Sequence, residues 1–249
     1  MAIRQRIGGA LARFLSRDRP GLGDGPTSDL SLLRACLRPG DVLLVEGTSR
    51  FSTAIKYLTQ STWSHAAICL SGGADAELLE ADLNTGVRRV PLETYAGYHT
   101  RICRPAALRA EDLDSVLAYL TARVGHQYDL RHIIDLARYL LPTPPVPVRW
   151  RRRMLTLGSG DPTRAICSSL IAQAFQAVHY PILPVVEYVP CPGSAPGECV
   201  QRTMRRRHHT LFTPRDFDIS PYFAVVKPVL EHEFDPSTLP WADPAETSR

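Results

Sequence analysis

Apolar and polar positions along this chain follow two rhythms, and the changes of rhythm mark out its elements. Helical spacing over 30–37 ends at Pro39–Gly40, and Val42–Val45 is an unbroken apolar run of strand length. Helical spacing returns over 49–60 through Phe51, Ile55 and Leu58. Three or four strand candidates follow: His65–Leu70, Glu77–Asp82, Val87–Pro91 and Thr100–Cys103, with Asn84–Thr85–Gly86 as a hairpin turn between the second and third. Glu111 and Asp112 open a helix whose stripe is Leu113, Val116, Leu117, Leu120 and Val124. Asp129 reads as the N-cap of another, with Leu130, Ile133, Ile134, Ala137, Leu140 and Leu141 on one side. Pro142, Pro144, Pro145 and Pro147 stop it. A basic segment over 148–160 reads as a flap or an interfacial patch. A helix from Thr163 to His179, a loop-rich stretch over 181–215 and a late strand Tyr222–Val226 complete the pattern.

The ends behave differently. Over 1–19, Ile3, Ile7, Leu11, Phe14 and Leu15 form a stripe set among arginines. Two readings stay open: an amphipathic arm lying on an anionic membrane surface, or a disordered or loosely docked arm. The organisation expected is an arm and linker over 1–27, one domain over 28–232 and a polar tail over 233–249.

Composition narrows the class. The 249 residues are 44% hydrophobic and 22% charged, which is globular composition. No apolar run is long enough to span a bilayer as a helix. Gly8–Gly9 and Arg13 interrupt any signal-peptide core, so a cytoplasmic location is expected, with peripheral membrane contact as the arm's alternative. A net charge of +4 implies no polyanion, and no nucleic-acid partner is expected. Only Lys56 and Lys227 are lysines. The arginine clusters, Arg151–Arg153 and Arg205–Arg207 among them, fit either an oxyanion-gripping surface or genomic base composition. Cys191 and Cys199 can bridge in an oxidising compartment, while their spacing to His208 and His209 matches no zinc site. Neither a metal nor another cofactor is expected. No Gly-x-Ser-x-Gly elbow and no phosphate-cradling glycine loop occurs.

Three segments carry candidate chemistry: Trp63-Ser64-His65-Ala66, Leu78-Leu79-Glu80-Ala81 and Ile166-Cys167-Ser168-Ser169. Thiol catalysis needs a sulfur nucleophile, a base beside it and a polar group to orient the base. Cys167 falls near a helix start, where free N–H groups favour an anion, with Ile171, Ala174 and Val178 on its stripe. His65 opens a strand. Glu80 is placed to fix its tautomer, and Asp82 on the same strand face competes for that role.

GDVLLVEG at 40–47, IKYLTQSTWSHAAI at 55–68, LLEAD…GVRRVPL at 78–92, GHQYD at 125–129 and AICSSLIAQAF at 165–175 resemble the YiiX/YaeF-like permuted papain-like amidases of the NlpC-type superfamily. TPRDFDISPYF at 213–223 is similar to their C-terminal part, so the resemblance runs over about 38–228. It implies an α+β, circularly permuted papain-like fold, with an antiparallel barrel-like sheet and a packed helix carrying the cysteine. The order His65, Glu80, Cys167 is the order such a permutation implies. By resemblance Cys167 is the nucleophile, His65 the general base and acid, and Glu80 the orienting residue. Tyr128 is placed near the nucleophile, and Ser168 joins it as a weaker substrate or oxyanion candidate. His126 is a further loop candidate. The implied activity is amide or acyl cleavage through a thioester on a small amide, peptide or acyl substrate. The alternatives are a phospholipase or acyltransferase using the same residues at a membrane, and a non-catalytic binding module.

Overall fold

The structure is a computed structural model that describes residues 28–82, 85–127, 166–191, 199–231 and 235–238. The N-terminal arm, the helix expected from Asp129, the basic segment over 148–160, Tyr128 and most of the tail lie outside the described residues. In chain order the elements are α1 (Leu30–Cys36), β1 (Val42–Val45), α2 (Arg50–Thr59), β2 (His65–Ser71), β3 (Glu77–Asp82), β4 (Gly86–Pro91) and β5 (Thr100–Pro105). Next come α3 (Ala110–Thr121), α4 (Ile166–Ala177), β6 (Val185–Pro190), β7 (Val200–Arg205), α5 (Pro214–Asp218), β8 (Phe223–Val226) and α6 (Pro228–Glu231).

The apolar run of β1 is explained by its position. β1 pairs antiparallel with β2 on one side and β5 on the other, at the middle of a sheet ordered β4-β3-β2-β1-β5-β8. Both of its faces are therefore covered. Val42 and Leu44 enter one core with Val116 and Leu120 of α3, and with Leu170, Ile171 and Phe175 of α4. Leu43 and Val45 enter the other with Leu33 of α1 and with Leu92 and Tyr95 of the short 3-10 turn after β4. Strands buried on both faces lose the polar alternation of a half-exposed sheet. Local chemistry sets the helix ends. Asp29 caps α1 by accepting from Ser31 and Leu32 N–H, and Ser49 caps α2 by accepting from Ser52 N–H. Among the described residues no helix is long and apolar enough to cross a membrane.

Two expectations are corrected. The strand order ends at β4 and β8, so among the described residues the sheet is open rather than barrel-like. The outer edge of β4 is taken by a loop instead of a strand: Gly125 N–H donates to Val87 O (2.8 Å) and Val87 N–H to His126 O (3.0 Å). At the other edge β8 is four residues long, and Pro228 follows within two residues. The stretch expected to be loop-rich holds a two-stranded ribbon, β6 with β7, whose end is closed by a Cys191–Cys199 disulfide. Pro184 and Pro190 hide β6 in the sequence, yet they fall before it and at its last residue, positions a strand tolerates.

Candidate active site

Antiparallel pairing brings His65 and Glu80 together. β2 runs beside β3 with Ile68 opposite Leu79, and from there His65 Nε2 reaches Glu80 Oε2 at 2.7 Å. Glu80, only 6% exposed, is held from two further directions. Arg88 faces it across the β3–β4 ladder and grips Oε1 through Nε (2.9 Å) and Nη2 (2.7 Å). The Tyr95 hydroxyl donates to Oε2 at 2.7 Å. Burial alone raises a carboxyl pKa; the bonds from His65, Tyr95 and Arg88 outweigh it and hold Glu80 down at about 2. Burial, and then the same carboxylate, push the Tyr95 phenol well above its ordinary range.

Cys167 is the second residue of α4 and is 5% exposed, in the same core as Ile171 and Ala174. Its sulfur interacts with His65. Burial opposes charge on the ring, but attraction to Cys167, a hydrogen bond with Cys167 and the bond to Glu80 prevail, raising His65 to about 10. With Nε2 on Glu80, Nδ1 is the nitrogen left for sulfur. Near neutral pH an imidazole so raised carries both protons and donates on both sides.

The remaining candidates separate. Asp82 accepts from Thr85 N–H and Oγ1, each at 2.9 Å, so it caps the hairpin turn while Glu80 meets the imidazole. The Ser168 hydroxyl is fully buried and donates to Phe212 O (2.8 Å), which ties its side chain to the loop before α5. His126 serves the β4 edge through its carbonyl. Ser169 Oγ is buried with no hydrogen-bond partner among the described residues.

A polar frame fixes the approach to His65. Gly47 N–H donates to Ser64 Oγ (2.9 Å), and Ser64 N–H to Val45 O (3.1 Å). Trp63 Nε1 donates to Asp218 (3.0 Å), which also pairs with Arg101 (2.7 Å). Sequence reasoning missed Arg88 and Tyr95. Counting back from the Gly86 turn sets Arg88 opposite Glu80, so that signal was present. Tyr95 arrives from a 3-10 turn of four residues, too short to show a period in the sequence.

The described residues thus define a thiol, an imidazole and a buried carboxylate in sequence on an α+β scaffold. Among solved structures, the crystal structure of the metalloprotein YiiX from Escherichia coli O157:H7 is similar to 77% of this chain and 97% of that one, at 15% identity and a TM-score of 0.46. YiiX is a namesake of the family whose motifs the sequence resembles. A likeness of this extent carries no chemistry across. No family model and no curated protein matches the chain. Among the described residues, no group of three or more His, Cys, Asp or Glu is placed to hold a metal ion.

Proposed function

We propose that the protein is a cysteine-dependent hydrolase of the amidase or peptidase type, built as a permuted papain-like domain and cleaving an amide or acyl bond through a thioester. What supports this reading is the 2.7 Å bond between the His65 imidazole and the Glu80 carboxylate, with the Cys167 sulfur among the groups that raise His65. The Cys167 thiolate attacks the carbonyl carbon, and the negative charge that develops on oxygen meets backbone N–H groups in the first turn of α4. Collapse expels the amine or alcohol, which takes its proton from His65, and leaves the acyl group on sulfur. His65, now neutral, accepts a proton from water as the water attacks the thioester. The acid departs, and sulfur and imidazolium are restored. Glu80 stabilises the charged ring in both half-reactions and fixes its orientation.

Acyl- and peptidyl-electrophile probes, read by mass spectrometry, test this. The expected result is labelling confined to Cys167. Turnover of whichever substrate class labels it should fall at least about a thousandfold in Cys167→Ala. A Cys167 that reacts with iodoacetamide no faster than a free thiol would instead leave a binding module with no turnover.

A further inference from the structure

The ribbon of β6 and β7 takes no part in this chemistry. Directly paired residues of an antiparallel ladder share a face, so Val186 with Met204 and Tyr188 with Arg202 form one side, continued by Val200. The other side carries Val185 with Arg205, Glu187 with Thr203 and Val189 with Gln201. Around Arg202 the first side is largely apolar and open to solvent: Tyr188 is 72% exposed, Val200 56% and Val186 38%, while Met204 meets the Tyr222 hydroxyl through its sulfur (3.6 Å). Contiguous exposure of large apolar side chains marks an interaction surface.

The ribbon is also basic. Across its described residues and the turn that follows, Arg202, Arg205 and Arg206 stand against one carboxylate, Glu187, which Arg205 occupies at 2.8 Å. Arg202 sits on the apolar face and has no acidic partner among the described residues. The base is anchored: the Tyr180 hydroxyl lies 2.7 Å from Ala106 O and 2.6 Å from Tyr222 O, and Ser220 Oγ donates to Ile182 O. The far end is closed by the Cys191–Cys199 disulfide. This is a stiff projection, amphipathic and positively charged.

We infer that the apolar face of the β6–β7 ribbon docks on an anionic phospholipid surface, with Tyr188, Val186 and Val200 entering the headgroup boundary and Arg202 meeting phosphate. Charge complementarity selects this occupant. A second copy of the chain would set arginine against arginine across a two-fold contact, whereas an anionic bilayer offers apolar depth and negative charge together. Tyrosine, with an apolar ring and a polar tip, suits that boundary. The inference is independent of the chemistry assigned to Cys167.

The test is sedimentation of the full chain with vesicles of phosphatidylcholine alone and of phosphatidylcholine mixed with phosphatidylglycerol. The expected result is pelleting with the mixed vesicles only. The variants Arg202→Glu and Tyr188→Ser/Val200→Ser should each weaken it roughly tenfold. In Tyr188→Trp, tryptophan emission should shift to the blue on the mixed vesicles. Failure of the wild type to pellet with them, equal pelleting with both compositions, or variants that bind as the wild type does would each overturn the inference, the last by assigning binding to another segment.

Discussion

Tyr95 and His65 share one oxygen: both reach Glu80 Oε2 at 2.7 Å, the phenol donating from one side and the imidazole from the other. The hydroxyl thereby fixes where the carboxylate stands, and the carboxylate fixes the ring. Tyr95 is a positioning residue in the proposed reaction. Tyr95→Phe removes one bond to a charged acceptor, which costs about 1.5–3 kcal/mol. The expected outcome is a lower denaturation midpoint together with about a tenfold lower kcat and little change in KM. A variant that lost stability but kept the wild-type kcat would make Tyr95 merely structural.

The pH dependence follows from the two shifts. His65 rises from 6.5 to about 10 in the fold, so its contribution to stability is complete below 6.5 and disappears as pH climbs through about 10. Glu80 falls from 4.5 to about 2, so its contribution is complete above 4.5 and disappears as pH drops through about 2. Because the Cys167 sulfur is a principal cause of the His65 shift, Cys167→Ala should move the imidazole titration, followed by NMR, down from about 10 toward 6.5. A wild-type ring already titrating at 6.5 would contradict the geometry.

The parts of this fold that the sequence disclosed are those where burial imposes a period. β1 reads as a strand because both faces are covered, and α4 reads as a helix because Cys167, Ile171 and Ala174 line one core. The candidate site was legible in part for a related reason: Glu80 sits on β3, whose pairing with β4 follows from one hairpin turn. The β2–β3 register that brings His65 beside it shifts between Cys69 and Ser71 and is not set by that turn. The ribbon was missed because neither face is buried, so no apolar alternation was imposed on 200–205, all exposed. The bond of the Ser168 hydroxyl to Phe212 O was not legible, because a spacing argument counts turns and does not reveal which carbonyl lies within reach. Tyr95 was invisible because what places it, the turn after Pro91, is tertiary.

Gly47 offers a test of the frame beside His65. A Cβ at this position would press on Ser52 Oγ and come within 2.9 Å of both Ser52 Cβ and Ser64 Oγ. Side-chain rotation does not relieve the Ser52 Cβ contact, so the backbone must give. Gly47→Ala is expected to cost roughly 1–3 kcal/mol of stability, as overpacking does, and to displace Ser64, which precedes the imidazole. Denaturant titration measures the first effect and the His65 NMR titration the second. A variant unchanged in both would show that the Gly47–Ser64 contact does not govern His65.

Ser169 gives the opposite sign. Its hydroxyl is buried two residues beyond Cys167, has no hydrogen-bond partner among the described residues and stands inside a helix. A buried unsatisfied hydroxyl costs about 1–3 kcal/mol, and serine is a poorer helix former than alanine. Ser169→Ala should therefore raise the denaturation midpoint, because it deletes a liability and breaks no bond. Natural sequences keep such a group when something else uses it. The informative comparison is thus stability against KM for a substrate found by labelling Cys167. A more stable variant with unchanged KM makes Ser169 a packing residue. A more stable variant with a raised KM makes the hydroxyl a donor held in reserve for the ligand. Lower stability would mean that the hydroxyl is satisfied in the folded protein, contrary to the geometry.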